Sequence, residues 1–258
     1  MAYFIGIDVG ATKIEGVLIN QNHKILTHQK IPTPKNKKQF LTQLQILIQQ
    51  LKTKPISGIG IGVPGQVKNG LIVKLRNITG IKNLNLKKII QNKFKVKTII
   101  ENDANCFALA QARSQKKTNL IGLTLGSGVG GGIIINNQIH RGQDGLAGEF
   151  GQISYQNKTF EDYCSGKFFK NKTLNQKTFN EFGRHLGNLI NTVINSLNPE
   201  IIVLGGSVSN DFNLFKKSMT TTLKKSLIYP QLKKTKIIQS KLKHAGALGA
   251  ASLFLHNL

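Results

Sequence analysis

The feature that most constrains this chain is an internal repeat. Ile5 to Asn20, IGIDVGATKIEGVLIN, lies without a gap on Ile121 to Asn136, IGLTLGSGVGGGIIIN. Gly6 falls on Gly122, Gly10 on Gly126, Gly16 on Gly132 and Asn20 on Asn136, with conservative apolar swaps such as Ile7 for Leu123 and Val17 for Ile133 among the positions between. Each copy reads as a buried strand, a tight glycine turn and a second strand, because β-branched runs flank Gly-rich centres. A repeat on this scale divides the chain into two similar halves, predicted as domains over 1–115 and 116–258.

The segments after the two hairpins support the division. Phe40, Leu41, Leu44, Leu47, Ile48 and Leu51 recur at helical spacing, and Ile56 to Val63 reads as a strand closed by Pro64-Gly65. Val96 to Ile100 is a further strand, running into a helix that begins at Asn102 or Asp103. In the second half, apolar positions from Phe179 to Leu197 mark a long amphipathic helix that stops at Asn198-Pro199, before a buried strand, Ile201 to Leu204. Strands alternating with helices predict an α/β fold of two units meeting at a cleft. The 258 residues are 40% hydrophobic and 7% aromatic, enough for a sizeable core, which excludes a disordered or collagenous chain. No apolar run reaches the roughly 18 to 20 residues of a membrane span, and the start of the chain lacks a signal-peptide pattern, so a cytoplasmic protein with no membrane partner is expected. Cys106 and Cys164 form no CxxC pair and read as free thiols.

A net charge of +25 raises the question of a polyanion partner. Arginine, the residue suited to bidentate phosphate and guanine recognition, occurs only at positions 76, 113, 141 and 184. The lysine pairs 87-88, 216-217 and 233-234 are not interleaved with aromatics, and read as solvated faces rather than a nucleic-acid surface. No nucleic-acid partner is expected.

Three glycine turns carry the chemistry. In DVGATK, Gly10, Thr12 and Lys13 can offer backbone N–H groups, a hydroxyl and an ammonium to phosphate oxygens, with Asp8 near a bridging metal. Its echo, with Gly126, Ser127 and Gly128, can grip the other end of a triphosphate, and Gly205-Gly206 forms a third turn where an adenosine could approach the backbone. In ENDAN, Asn102 and Asp103 lie where a strand meets a helix. Either could cap that helix; an Asp there could instead orient a hydroxyl and accept its proton. Glu149 in GLAGEFGQ and Glu161 in FEDYCSG are of the type that reads sugar hydroxyls, against the plainer readings of a surface loop and a helix-start charge.

Taken in order, DVGATK, ENDANCFALAQA, LGSGVGGGIIINNQIHRG, GLAGEFGQI, EDYCSG, NPEIIVLGGSVSN and HAGALGAA resemble the ROK family of bacterial sugar kinases and sugar-responsive repressors over nearly the whole chain. The middle segments are most similar to the N-acetylglucosamine kinase and fructokinase branches, with glucokinases close behind. The resemblance implies an actin-like, ribonuclease H-like pair of α/β domains with ATP, Mg²⁺ and sugar in the cleft between them, and a homodimer. It implies Asp103 as general base and Asn102, Glu149 and Glu161 on the sugar, with Gly65 and Gln152 also assigned there. Asp8, Gly10, Thr12, Lys13, Gly126, Ser127 and Gly128 would meet the phosphates, and Gly205 and Gly206 the adenosine.

Departures fall on the sugar side. The second glycine of the family's first loop is Ala11, which is costly only at positive φ. The family's histidine after the Glu149 segment is Gln152, and the zinc-binding cysteine cluster is missing because only nine residues separate Gly151 from Glu161. No structural zinc is expected; packing of Phe160, Tyr163 and Phe168 should hold this loop instead, and no residue is assigned as a metal ligand. The activity so implied is ATP-dependent phosphorylation of a hexose or N-acetylhexosamine, with N-acetylglucosamine or glucose favoured, at its 6-hydroxyl. The alternatives are a catalytically weak sugar sensor and a polyphosphate-dependent glucokinase; a DNA-reading repressor is disfavoured by the seven residues before Asp8.

Overall fold

The computed structural model describes residues 1–75 and 77–255. They form two compact units, one of residues 1–75, 77–116, 141–147 and 242–255, the other of 117–140 and 148–241.

The first unit starts with β1 (Tyr3–Val9), β2 (Lys13–Asn20) and β3 (Ile25–Pro32), an antiparallel run. Helix α1 (Lys37–Leu51) buries Phe40, Leu44, Leu47, Ile48 and Leu51 of the stripe that the spacing predicts and leaves Leu41 half-buried at its edge, and Asn36 caps it by accepting from Gln39 N. β4 (Gly58–Val63) then pairs parallel with β1. A small meander of β5 (Val67–Lys68), β6 (Leu71–Lys74) and β7 (Lys82–Leu84) leads to α2 (Leu86–Phe94), β8 (Thr98–Asn102) and α3 (Asp103–Gln115). The main sheet has the order β3-β2-β1-β4-β8. Its inner strands are covered on both faces, so β4 is buried at every position and reads as continuous apolar sequence without alternation.

The second unit repeats this plan. β9 (Leu120–Leu125) and β10 (Val129–Ile135) form its hairpin, β11 (Gln138–Ile139) continues it, and a minor hairpin of β12 (Ser154–Tyr155) and β13 (Lys158–Thr159) precedes α4 (Phe160–Cys164). Helix α5 (Gln176–Leu197), β14 (Ile201–Gly205), α6 (Phe212–Ser226) and β15 (Lys236–Gln239) complete it, and the sheet order β11-β10-β9-β14-β15 matches that of the first unit. The repeat is real, with one difference in register. Val9 pairs with Ile14 and Gly10 N donates to Lys13 O at 2.9 Å, whereas Leu125 pairs with Val129 and Gly126 N donates to Gly128 O at 3.0 Å. The second turn is therefore one residue tighter, which shifts every later residue of β10 by one place against its counterpart in β2.

The last helix, α7 (Ala245–Ser252), returns to the first unit, so the compact units are not collinear with a division at 115/116. Its sequence, AGALGAAS, is small because its backbone lies directly on the sheet. A Cβ added at Gly60 of β4 would sit 1.8 Å from Ala250 O, and one at Gly6 of β1 2.0 Å from Ala247 O. No described helix is long and apolar enough to cross a membrane.

Candidate active site

In the first unit, β1 delivers Asp8 next to the glycine turn. Asp8 keeps a partly exposed edge, yet burial among protein atoms, followed by repulsion from Asp103 and Glu15, raises its pKa to about 7 against the pull of Lys13. The first turn of α7 crowds it, since a Cβ at Gly246 would lie 2.4 Å from Asp8 Oδ2. The turn itself is held from one side: Thr33 Oγ1 donates to Gly10 O at 2.8 Å and Thr33 N to Thr12 O at 3.0 Å. Ala11, Thr12 and Lys13 are exposed. Ala11 is not among the residues at positive φ, so the missing glycine costs no backbone strain.

The competition for the helix cap at ENDAN is resolved in favour of Asn102. Its side chain accepts from Asn105 N at 3.1 Å, and its Nδ2 donates to Gly65 O at 3.1 Å. Asp103 becomes the first helical residue, with its Oδ1 accepting from Ala104 N at 2.9 Å. Gly65, at φ +93, occupies a backbone conformation that favours glycine, and this aims its carbonyl at Asn102. Asp8, Lys13, Gly65, Asn102 and Asp103 thus all belong to one unit, at strand ends, turns and the start of α3.

In the second unit, the glycine turn is joined to Glu161 on α4. Glu161 Oε2 accepts from Val129 N at 3.2 Å, and Oε1 pairs with Lys167 Nζ at 2.6 Å. A Cβ at Gly128 would be 2.6 Å from that Oε2, whereas one at Gly126 would meet nothing within 4 Å. A side chain at 128 would therefore push the Glu161 carboxylate aside, while Gly126 and Ser127 border open space on the outer side of the turn. Gly206, at φ +83, packs on Leu125, with a would-be Cβ 2.4 Å from Leu125 O, and its carbonyl accepts from Ser209 Oγ at 2.7 Å. Gly205 and Gly206 thereby bring the start of the α6 segment against the base of the glycine turn.

The shortened loop is held by rings. Tyr155 stacks on Phe160 at 4.3 Å and meets Tyr163 edge-on at 5.4 Å, and Phe168 contacts both Phe182 and His185. Cys164 is fully buried, and burial pushes its thiol pKa well up. Glu149 precedes the short turn 150–152, Gln152 ends it, and both are exposed.

Comparison with known proteins identifies this arrangement. The sequence profile described as "ROK family" matches residues 4–168 and 164–257. The chain belongs to the ROK family. An N-acetyl-D-glucosamine kinase of Haemophilus influenzae is 31% identical, over 98% of this chain and 99% of that protein. A xylose repressor of Bacillus spizizenii is 29% identical, over 99% of this chain and 77% of the repressor. Among solved structures, a ROK glucokinase from Streptomyces griseus in complex with glucose and AMPPNP superposes with a TM-score of 0.83 at 23% identity, covering 98% and 99% of the two chains. The fold is the actin-like ATPase fold of the ROK kinases.

Two features of this ROK chain are not visible in its motifs. Buried Glu101 receives Arg141 Nε at 2.7 Å, Asn105 Nδ2 at 3.0 Å and Asn102 N at 2.9 Å, so the carboxylate next to Asn102 ties residues 141–147 to the ENDAN segment. The E and R were legible in sequence; their pairing over forty positions was not. The second feature is a meeting of Glu15, His28 and His244. Burial opposes ionisation of Glu15, but hydrogen bonds from the two histidines and the charge of Lys13 hold its carboxyl below the ordinary range.

Proposed function

We propose that this chain is a sugar kinase that transfers the γ-phosphoryl group of ATP to the 6-hydroxyl of a hexose or N-acetylhexosamine, with N-acetylglucosamine or glucose favoured. The single observation that carries the reading is the division of labour at the start of α3. Asn102 supplies the cap to Asn105 N, and the Asp103 carboxylate that follows accepts from Ala104 N at the same helix start, close enough to Asp8 for the two charges to repel. Asp103 takes the hydroxyl proton while the sugar oxygen bonds to phosphorus and the bond to ADP breaks. Asn102, Gly65, Glu149, Gln152 and Glu161 position the sugar. Lys13, Thr12 and the backbone of Gly10, Gly126, Ser127 and Gly128 bind the phosphates, and Gly205 and Gly206 receive the adenosine.

The donor set fits Mg²⁺. A carboxyl as deeply set as Asp8, with a pKa pushed to about 7 by burial and two neighbouring carboxylates, is one that a cation would return to its charged form. Bound with ATP, Mg²⁺ supplies neutralisation of phosphate charge, and Asp8 is the residue that would hold it. The loop 152–170 is proposed to be free of zinc, because its one cysteine is a buried thiol packed among rings. A cytoplasmic homodimer without nucleic-acid partners is the setting proposed for this activity.

A coupled assay with ATP and glucose, N-acetylglucosamine, N-acetylmannosamine, mannose and fructose tests the reading. Turnover with N-acetylglucosamine or glucose is expected. Binding of a sugar without turnover of any would favour the sensor role that the match to a xylose repressor brings into play. Greater turnover with polyphosphate than with ATP at physiological salt would replace the donor.

A further inference from the structure

Three side chains from distant parts of the sequence converge at one point of the first unit. Glu15 lies on β2, His28 on β3, and His244 is the residue before α7, held at φ 58. Glu15 Oε1 is 2.9 Å from His28 Nε2 and 3.1 Å from His244 Nδ1, and the two imidazole rings are 4.1 Å apart at 37°. Each residue offers a ligand atom, all within 4.8 Å of one another, and this is the one such group of His, Cys, Asp and Glu among the described residues. We propose that Glu15, His28 and His244 form a binding site for a divalent transition-metal ion of the Zn²⁺, Co²⁺ or Ni²⁺ type, separate from the Mg²⁺ that accompanies ATP.

The geometry admits an ion in place of the hydrogen bonds that now join the three side chains. In a tetrahedral site with bonds of about 2.0 to 2.2 Å, ligand atoms stand roughly 3.3 Å apart. The two carboxylate–imidazole separations are within a few tenths of an ångström of that value and the two imidazole nitrogens lie within 4.8 Å of one another, so an ion can replace the two N–H protons once the rings turn toward a common point. Access is open: side-chain exposure is 35% for His28, 27% for His244 and 12% for Glu15. Two imidazoles and one carboxylate are a borderline donor set that suits Zn²⁺, Co²⁺ and Ni²⁺ and suits Mg²⁺ poorly, since Mg²⁺ prefers oxygen ligands and retains its waters. Three protein ligands leave a fourth position for water, so the ion should exchange rather than be locked in. Local charge is compatible, because the carboxylates of Glu15 and Asp8, opposite one another in the β1–β2 register, stand against Lys13. Bound there, the ion would clamp β2 and β3 to the start of α7, beside the Asp8 carboxylate.

This inference does not depend on the sugar-kinase reading, and its test does not use activity. Full-length, untagged, metal-stripped protein is titrated with Co²⁺ in a buffer containing excess Mg²⁺, following the visible ligand-field absorption, and then with Zn²⁺ as competitor. One Co²⁺ per chain is expected, in a low-symmetry nitrogen–oxygen environment, displaced by Zn²⁺, with Zn²⁺ also raising the melting temperature. His28→Gln and Glu15→Gln should each weaken binding at least tenfold and abolish the thermal shift, while His140→Gln changes neither. His28 sits on an exposed edge strand, so its variant keeps the fold, as circular dichroism will check. No Co²⁺ spectrum at a hundredfold excess, an ion displaced by Mg²⁺, or undiminished binding in His28→Gln would each overturn the site.

Discussion

Replacing Asp103 and Asn102 separately distinguishes a base from a cap. In Asp103→Asn, the carboxamide oxygen can still accept from Ala104 N, the 2.9 Å bond of Oδ1. The loss is one negative charge at a helix N-terminus, about 0.3 to 1 kcal/mol, offset in part by relief of the repulsion between Asp103 and Asp8. Stability should therefore change by less than about 1 kcal/mol. Catalysis should not be spared: removing a general base lowers kcat by about 10² to 10⁴, roughly 3 to 5 kcal/mol of barrier. Asn102→Ala behaves in the opposite way. It removes the cap to Asn105 N and the bond to Gly65 O, both 3.1 Å, at about 1 kcal/mol each. Denaturant unfolding and steady-state kinetics on the sugar that wild type prefers provide both readouts. A folded Asp103→Asn protein that keeps more than about a tenth of wild-type kcat would refute the assignment, because a purely structural role at this helix start, where Asn can accept from Ala104 N as Asp does, leaves turnover intact.

Other variants probe the frame around that site. Arg141→Ala leaves buried Glu101 without its cation and should cost about 3 kcal/mol in denaturant unfolding, whereas Glu101→Gln with Arg141→Ala recovers part of the loss. Gly60→Ala drives a methyl group into the Ala250 carbonyl, 1.8 Å from the ideal Cβ, and should cost more than the usual 1 to 3 kcal/mol of overpacking or prevent soluble expression. Glu200, with its pKa lowered to about 2 by Lys117 and by Thr118 and Asn119, stabilises the fold above its unfolded pKa. That contribution, no more than about 1 kcal/mol for so exposed a pair, should fade as pH falls from about 4.5 toward 2, and Glu200→Gln should flatten this part of the stability curve. Cys164→Ala should leave the metal content measured by elemental analysis unchanged, since a buried thiol raised well above its ordinary pKa is no ligand.

The residues that define the fold were legible because they act locally. The α1 stripe, the stop at Asn198-Pro199 and the glycine turns each depend on neighbours a few positions apart, and all three are found where the spacing puts them. Helix and strand limits moved by two or three residues, as in β8, which runs Thr98–Asn102 where Val96 to Ile100 was expected, because pairing with β4 and not β-propensity sets its ends. What the sequence could not disclose are long-range meetings. Nothing in the spacing of Glu15, His28 and His244, or of Glu101 and Arg141, signals contact, since sheet order and the return of α7 create it. The ring cluster at 155–168 was legible in part: Phe160, Tyr163 and Phe168 were expected, but Tyr155 and His185 enter through the β12–β13 hairpin and α5.

The register difference between the two hairpins explains why similar turns hold different chemistry. Laid on each other, Lys13 corresponds to Val129. In the first turn Lys13 stands opposite Gly10, exposed, and its charge acts on Asp8 a few residues back along the same hairpin. In the tighter second turn Val129 is already paired with Leu125 and buried, so no side chain at that place can carry a cation. The second unit obtains an equivalent pair from elsewhere: α4 presents Glu161 to the Val129 amide, and Lys167, six residues on, neutralises it. Both turns thus keep one carboxylate and one lysine beside glycine backbone. In the first the lysine belongs to the turn and is exposed to a ligand; in the second it is committed to a carboxylate that buttresses Gly128. Under the kinase reading proposed above, this difference places phosphate charge on Lys13, with the second turn contributing backbone N–H groups. Lys13→Ala should accordingly raise KM for ATP and lower kcat, whereas Lys167→Ala should act by loosening the Gly128 turn, and Lys167→Arg, which restores the ion pair, should recover activity.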